Sequence, residues 1–445
     1  MNPLTIEELK KILQENGIVG AGGAGFPSYA KIDERADTLI LNCAECEPLL
    51  KLHRQLLEKN SLEILSALNM ISKIVGAENI IIAVKEEYSE TILSVREHID
   101  KFPNARLKIL NSVYPMGDEI ILAYEATGKI IPPGSLPIES GITIFNVETI
   151  YNIHQAVNCL QPVTKKWVSI VGEVNQPITT YIPLGCTIKD AISMAGEVTV
   201  DPPAIIIGGP MMGSVATLSD VITKTTNAIL VLPKDYFLIR IKNRNPDISL
   251  RRASSACCQC QTCTDICPRY LLGYPIEPHK FMRSASNRDF QNINSFTDTL
   301  YCSSCGICEM FSCPQSLAPR SLLATYKAEL AKAGVRPEKK TASVNEARTY
   351  RKVDEHRLKE RLGLSIYDKA APMKDAELTI QNVKIPLKQH IGAPATPVVS
   401  VGEKVALGQT IGMCSEGLSV SVHASLSGIV TEVNLSYVNI SSGRM

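Results

Sequence analysis

Residues 257–268 read Cys257-Cys258-Gln259-Cys260-Gln261-Thr262-Cys263-Thr264-Asp265-Ile266-Cys267-Pro268. Residues 302–314 read Cys302-Ser303-Ser304-Cys305-Gly306-Ile307-Cys308-Glu309-Met310-Phe311-Ser312-Cys313-Pro314. The first run is C-x2-C-x2-C-x3-C-P, a spacing that ligates bacterial [4Fe-4S] clusters. The second repeats it with one extra residue before its last cysteine. Three thiolates two residues apart can wrap one cuboidal cluster, because a tight loop turns their sulfurs onto three irons. The proline after the fourth cysteine breaks the helix and fixes the exit. Two assignments are open, since in two-cluster ferredoxins the fourth cysteine of each run ligates the other cluster. The swapped arrangement is expected: Cys257, Cys260, Cys263 and Cys313 at one site, and Cys302, Cys305, Cys308 and Cys267 at the other. Zinc is the rival metal, because paired C-x2-C units also make tetrahedral sites. It needs only four ligands per site and gains nothing from a three-cysteine run followed by Cys-Pro, twice. Cys258 breaks the spacing and reads as a spare thiol.

The surrounding composition supports metal over disulfides. The chain has 445 residues and 14 cysteines, nine of them between Cys257 and Cys313. A secreted disulfide framework is more usually short, with cysteines spread throughout. The N-terminus alternates charge with aliphatics and has no apolar signal core, so a reducing, cytoplasmic setting is expected. Lys plus Arg is 46 against 45 Asp plus Glu, a net charge of +1, which argues against a nucleic-acid partner. No apolar run approaches the roughly 18 residues of a membrane span. The length exceeds one compact core, so several domains are expected.

Periodicity suggests their kinds. Residues 1–165 alternate strand-length aliphatic runs (38–41, 79–84, 107–110, 142–146) with helical spacing at 5–14, 61–75 and 147–160, an α/β pattern. Residues 166–240 carry short strands at 168–171, 179–182 and 204–207 around a helical 187–195. Residues 249–326 hold the cysteines among short helices. Residues 327–374 are rich in charge and read as a solvated helical linker without chemistry. From 375 to the end the chain is β-rich, with glycine-punctuated strands at 398–401, 410–413, 418–422 and 429–433. The whole is a multidomain α/β and α+β protein.

Single-electron centres need a two-electron converter upstream if the donor delivers a hydride. Gly20-Ala21-Gly22-Gly23-Ala24-Gly25-Phe26-Pro27 follows the first helix, with Lys31 four residues on. Small residues let backbone N–H groups approach a phosphate or flavin ring, and a lysine supplies the opposite charge. No strand precedes it, so it is not a Rossmann fingerprint. Alone it reads equally well as a packing turn. Three more segments follow in order: Asn42-Cys43-Ala44-Glu45-Cys46-Glu47-Pro48, Tyr114-Pro115-Met116-Gly117-Asp118-Glu119 and Phe145-Asn146-Val147-Glu148-Thr149.

Together these four segments resemble the NADH-binding flavoprotein subunit of respiratory complex I and its relatives. The resemblance implies FMN phosphate and ribityl contacts near Gly20, Gly22, Gly23, Lys31 and Asn42. Glu45, Gly117, Asp118, Glu119, Asn146 and Thr149 would complete the flavin pocket. Phe26 would stack on the nicotinamide nucleotide and Glu47 would bind it. The family pattern has an arginine at Ala21, an aspartate at Ala44 and an asparagine at Phe145, departures that bear more on the nucleotide than on the flavin. Cys43 and Cys46 flank the pocket and read as buried structural thiols rather than a redox pair.

Residues 167–233 resemble a soluble-ligand-binding β-grasp domain. The C-terminal segment, with Lys388-Gln389-His390-Ile391-Gly392-Ala393-Pro394 and His423-Ala424-Ser425-Leu426-Ser427-Gly428, resembles a barrel-sandwich hybrid domain without a carrier-lysine tip. His390 and His423 read as surface or satisfied residues rather than ligands. The RnfC family is similar but carries its barrel-sandwich domain at the N-terminus. The order here, the x4 spacing before Cys313 and Cys-Pro-Gln-Ser-Leu-Ala-Pro-Arg resemble the PduS-type cobalamin reductases of bacterial propanediol-utilisation microcompartments. That resemblance implies an NADH-dependent oxidoreductase using FMN and two [4Fe-4S] clusters, with cobalamin or a corrinoid-handling protein as acceptor and microcompartment partners. Two other readings stay open. One is an RnfC-like adaptor feeding a protein partner, and the other a scaffold with a decayed flavin site.

Overall fold

The computed structural model describes residues 4–443. The N-terminal strands are Thr38–Cys43 (β1), Asn79–Lys85 (β2), Ala105–Leu110 (β3), Val113–Tyr114 (β4) and Ile142–Asn146 (β5). All but β4 form one parallel sheet in the order β3-β2-β1-β5. β1 and β2 are unbroken aliphatic runs because helices cover both faces. Those helices are Ile6–Glu15 (α1), Leu52–Lys59 (α2), Ser61–Val75 (α3), Ser89–Ile99 (α4), Glu119–Thr127 (α5) and Val147–Asn158 (α6). Ile64, Leu68, Ile71, Ile82 and Ile153 fill one side of the sheet. Ile40, Ile81, Leu122 and Ile144 fill the other. The helix expected over 61–75 forms over that span and stops at Gly76, whose φ of +77° closes it in the left-handed region.

A second sheet follows. Its strands are Lys165–Gly172 (β6), Ile178–Pro183 (β7), Pro203–Ile207 (β8), Ser214–Ala216 (β9) and Ala228–Pro233 (β10), with Ile188–Ile192 (α7) packed on one face. Short helices then wrap the cysteines: Phe237–Lys242 (α8), Pro246–Ala256 (α9), Thr262–Asp265 (α10), Pro268–Leu271 (α11), Pro278–Asn287 (α12), Ile293–Thr297 (α13), Ile307–Met310 (α14) and Pro319–Lys332 (α15). Phe281 anchors this layer, meeting Phe296 and Tyr326 edge to face.

Residues 327–374 are not a solvated helix. The helix α15 ends at Lys332, and the chain then runs back over the first two domains as Val353–Asp354 (β11), Glu355–Arg361 (α16) and Met373–Lys374 (β12). Strand β11 pairs with β4 and β12 extends the second sheet beside β7. Leu358, Leu362 and Leu364 are fully buried. The charges are paired rather than hydrated: Glu355 meets the buried Lys85, while Arg348 and Lys352 both donate to Glu125 at 2.6 and 2.8 Å.

The C-terminal strands are Asn382–Pro386 (β13), Thr396–Pro397 (β14), Lys404–Val405 (β15), Thr410–Met413 (β16), Val422–His423 (β17), Gly428–Val433 (β18) and Tyr437–Ser441 (β19). They make two facing sheets, β13-β19-β18-β15 and β14-β16-β17, closed over Ile385, Ile411, Val430 and Ile440. The strand expected at 398–401 is a turn entering Gly402, with Val398 and Val401 exposed, and only the end of 418–422 joins a strand. Among the described residues no helix is long and apolar enough to cross a membrane.

Candidate functional site

In the first sheet β1 lies between β2 and β5, so the strand order reverses there and a crevice opens at the carboxyl ends. Asn42 and Asn146 are register partners at that edge. The Asn42 amide donates to the Gly117 carbonyl at 3.0 Å and its oxygen accepts from Ala44 N–H at 3.0 Å. Asn146 caps α6, accepting from Glu148 N–H at 2.9 Å. Thr149, in the first turn of that helix, accepts from Ala21 N–H of the glycine-rich loop at 3.0 Å. The loop is a narrow hairpin, closed by Gly20 N–H donating to the Phe26 carbonyl at 2.8 Å. A Cβ on Gly22 would lie 2.5 Å from the Asn146 amide nitrogen, so a side chain there would have to displace Asn146. Gly22, Gly23 and Ala24 form an exposed tip, beside a Phe26 that is itself exposed.

Lys31 reaches the same edge and donates to Glu119 at 2.6 Å and to the Ile144 carbonyl at 2.9 Å. Gly117 is packed so closely that a Cβ would meet the Ala44 carbonyl at 2.5 Å. The N-termini of α5 and α6 therefore converge with the loop and a lysine on one crevice, a setting that favours an anionic group such as a phosphate. Gly20, Gly22, Gly23, Lys31, Asn42, Gly117, Asn146 and Thr149 all belong to this gathering.

Three other predicted residues are engaged elsewhere. Asp118 caps α5 and accepts both of its ion-pair contacts from Arg269, at 2.9 and 2.8 Å. Glu45 is buried on the N-terminus of α2, taking hydrogen bonds from Leu52 and His53 N–H at 3.2 Å each. Both Glu47 oxygens accept from the β8–β9 turn, from Met211 N–H at 2.7 Å and Met212 N–H at 2.6 Å. Glu47 thus ties the first domain to the second. Cys43 is fully buried, and Cys46 holds the Ala44–Gly117 contact together with its sulfur facing the Ala44 carbonyl at 3.1 Å.

Burial pushes the Glu45 carboxyl up to about 7 from the ordinary 4.5. A group whose folded value lies above its unfolded value stabilises the fold below 4.5 and loses that contribution as pH rises toward 7. The wild-type protein is therefore expected to lose about 1–3 kcal/mol across this window relative to Glu45→Gln. Denaturant titrations of both proteins from pH 4.5 to 7 check this; parallel curves would refute it.

The eight cysteines of the two runs gather as two sets. Cys257, Cys260, Cys263 and Cys313 line one cavity with His279 and Met282. Cys267, Cys302, Cys305 and Cys308 line the other with Arg269 and Arg320. The loops share one backbone design: Gln259 and Ser304 have φ of +54° and +58°, and Gln261 and Gly306 have φ of +66° and +86°. Each left-handed residue turns the chain so that successive cysteines face inward. Among the described residues no three His, Cys, Asp or Glu side chains converge as ligands of a single ion. Four thiols set around a cavity suit the wider cuboidal cluster.

The two cavities stand differently toward the crevice at the carboxyl edge of the first sheet. The second abuts it. Tyr114 donates to the Cys305 carbonyl at 2.6 Å, Arg269 follows Cys267 by two residues and grips Asp118, and Cys46 packs in the same apolar groups as Cys267, Cys302 and Cys305. The first lies at the surface, where Cys258 and Cys260 are exposed. Arg269 is absent from the residues the sequence singles out, although its place directly after Cys267-Pro268 was a usable signal. Lys85 gave none, because its partner Glu355 lies 270 residues away.

Four known domain families match in chain order. Residues 13–155 match the Nuo51 FMN-binding domain, 167–215 the SLBB domain, 256–318 the 4Fe-4S dicluster domain and 367–445 the RnfC barrel sandwich hybrid domain. The chain is 35% identical to cobalamin reductase PduS of Salmonella typhimurium, over 99% of this chain and 98% of that one. It is 36% identical to cobalamin reductase PduS of Citrobacter freundii, over 98% and 97%. The chain belongs to the PduS cobalamin reductase family. A component of the Na(+)-translocating ferredoxin:NAD(+) oxidoreductase complex of Acetobacterium woodii is 29% identical, over 61% of this chain and 60% of that component. Like its family, this PduS-type chain is an oxidoreductase, combining an FMN-binding domain with a 4Fe-4S dicluster domain for flavo-iron–sulfur electron transfer. The donor sets fit both groups: a glycine loop where a side chain would collide with Asn146, and two fourfold thiol cavities.

Proposed function

We propose that this protein takes electrons from NADH at an FMN held on the glycine-rich loop, passes them through two [4Fe-4S] clusters, and reduces cobalamin at its surface. The observation that carries the reading is the contiguity of the crevice with the second thiol set through Asp118–Arg269 and Tyr114–Cys305. Gly20, Gly22, Gly23, Lys31, Asn42, Gly117, Asn146 and Thr149 would hold FMN. Glu45, Asp118, Glu119 and Glu47 would fix the elements around it, with Phe26 free to stack on the nucleotide. When bound, FMN supplies hydride-to-single-electron conversion and the clusters supply one-electron carriage.

The chain's own residues supply position. Arg269 neutralises Asp118 between crevice and thiols, so the α5 cap and the Cys267 loop move as one piece. Tyr114 fixes the Cys305 turn against that same piece. Water is kept from this junction by Ile40, Met116, Ile276 and Tyr301, all buried. Exposure of Cys260 in the first set suits that set to the role of exit.

The test is anaerobic: add NADH to the reconstituted protein, follow flavin and cluster absorbance, then add cob(III)alamin. Bleaching followed by reoxidation at a turnover-competent rate is expected. Absence of bleaching with FMN bound would remove NADH as donor. Bleaching without reoxidation would favour the second reading, an adaptor delivering to a protein partner, which the exposed first thiol set also suits.

A further inference from the structure

The glycine-rich loop is pinned from two sides. Its front rests on α6 through Thr149 and Asn146. Its back is held by residues far away in sequence. Gly25, with φ of +73°, sits where a Cβ would lie 2.9 Å from a Thr225 methyl, 3.0 Å from His390 Cα and 3.1 Å from the Gln389 carbonyl. Lys224, in the turn before β10, is almost completely buried. Its Nζ donates to the Gly17 carbonyl at 2.7 Å, at the root of the loop, and to the Ser421 carbonyl at 3.1 Å in the C-terminal domain. Its backbone N–H donates to Gln389 Oε1 at 3.0 Å, and Gln389 donates in turn to the Pro386 carbonyl at 2.9 Å. The same C-terminal segment reaches α1, where Ser421 N–H donates to the Gln14 carbonyl at 3.0 Å.

Burial of an ammonium group is costly unless a charge or a well-formed set of acceptors offsets it. Here, among the described residues, two carbonyls hold it and no carboxylate pairs with it. Its titratable neighbours, His390 and His423, are both buried and add no negative charge. A site needing only packing would be better filled by an apolar side chain. What the lysine adds is a three-way tie between the loop root, the β-grasp turn and the C-terminal domain.

We propose that Lys224 and the Gln389–His390 turn are positioning residues that hold the glycine-rich loop in its binding shape, so that the C-terminal barrel-sandwich domain governs how tightly flavin is held. This rests on the reading that the loop holds FMN.

The test measures FMN release from the full-length cluster-loaded protein by recovery of flavin fluorescence. The variants are Lys224→Met and Gly25→Ala, with Lys31→Ala at the crevice itself and Ser425→Ala, which cuts a different bond between the second and C-terminal domains, to the Leu184 carbonyl, as interface control. Lys224→Met and Gly25→Ala are expected to weaken FMN binding about tenfold or more, the effect of orphaning buried acceptors or straining the loop. Cluster absorbance, cluster EPR and the melting temperature of the flavin-free protein should stay with those of Ser425→Ala. Wild-type FMN affinity in both, with Lys31→Ala impaired, would overturn the inference alone. Wild-type affinity in Lys31→Ala as well would overturn the flavin assignment beneath it. If Lys224→Met loses its cluster signals, Gln389→Leu removes the bonds to the Lys224 backbone and the Pro386 carbonyl while leaving the Lys224 ammonium in place, and decides the question in the same way.

Discussion

Lys166→Met is expected to cost about 3–5 kcal/mol of stability, the usual penalty for leaving one partner of a buried ion pair alone. Lys166 and Glu148 are each about 1% exposed and face each other at the start of α6. Glu148 also accepts from Trp167 N–H at 3.2 Å, and Lys166 donates to the Trp167 carbonyl at 3.2 Å. Burial works against both charges, raising the Glu148 carboxyl and lowering the Lys166 ammonium, so their mutual attraction is what keeps either acceptable. With methionine at 166, Glu148 must take up a proton to stay buried. Its folded value then stands further above 4.5, so the variant should be least impaired in acid and lose stability as pH rises. The double variant Lys166→Met, Glu148→Gln should recover a large part of the loss, because no buried charge remains. Chemical denaturation of the four proteins at two pH values measures this. Additive effects would show that the two side chains are not coupled. Since Glu148 lies between Asn146 and Thr149, the single variant should also hold FMN more weakly.

Cys305→Ala should separate the two ends of the electron path. It takes one thiol from the set beside the crevice and leaves the surface set whole. NADH should still bleach the flavin absorbance, while cobalamin reduction falls to background. Cys260→Ala, in the exposed set, should also stop cobalamin reduction, yet leave the near cluster reducible by NADH in EPR. Equal loss of NADH-driven cluster reduction in both variants would refute the order proposed here. The contrast depends on Tyr114 and Arg269 placing the second set at the crevice, so both variants need iron analysis to show that the untouched set is still loaded.

Local signals carried far in this chain. The helix over 61–75 was legible because apolar residues repeat at helical spacing and a glycine stands at its end. The strands of the first sheet were legible as unbroken aliphatic runs. The thiol sets followed from spacing plus the rule that fourth ligands swap, and the structure gathers the same eight residues into those two groups. The failures share a cause. Residues 327–374 read as solvated because their Lys, Arg and Glu show no periodic partner nearby. Their partners Lys85 and Glu125 lie more than 200 residues away, and no local pattern reports such a pair. His390 and His423 were read as surface or satisfied residues without a choice between the two; both are buried where the C-terminal domain meets the first, a contact no local pattern reports. Glu45, Glu47 and Asp118 were legible as members of the crevice region. Their actual partners, backbone amides and Arg269, depend on tertiary packing that sequence position does not reveal.

The back wall of the glycine-rich loop also has a consequence for how the protein is made. The loop occupies residues 20–25 and leaves the ribosome long before Gln389, His390 and Ser421, which lie more than 360 residues further along the chain. At ordinary elongation speeds the nascent loop waits roughly 20–70 s for those residues. The first sheet can close during that interval, since its strands all precede residue 147. The pocket at its edge is therefore synthesised well before the residues that complete it, and if it holds flavin, capture is expected to follow folding of the C-terminal domain.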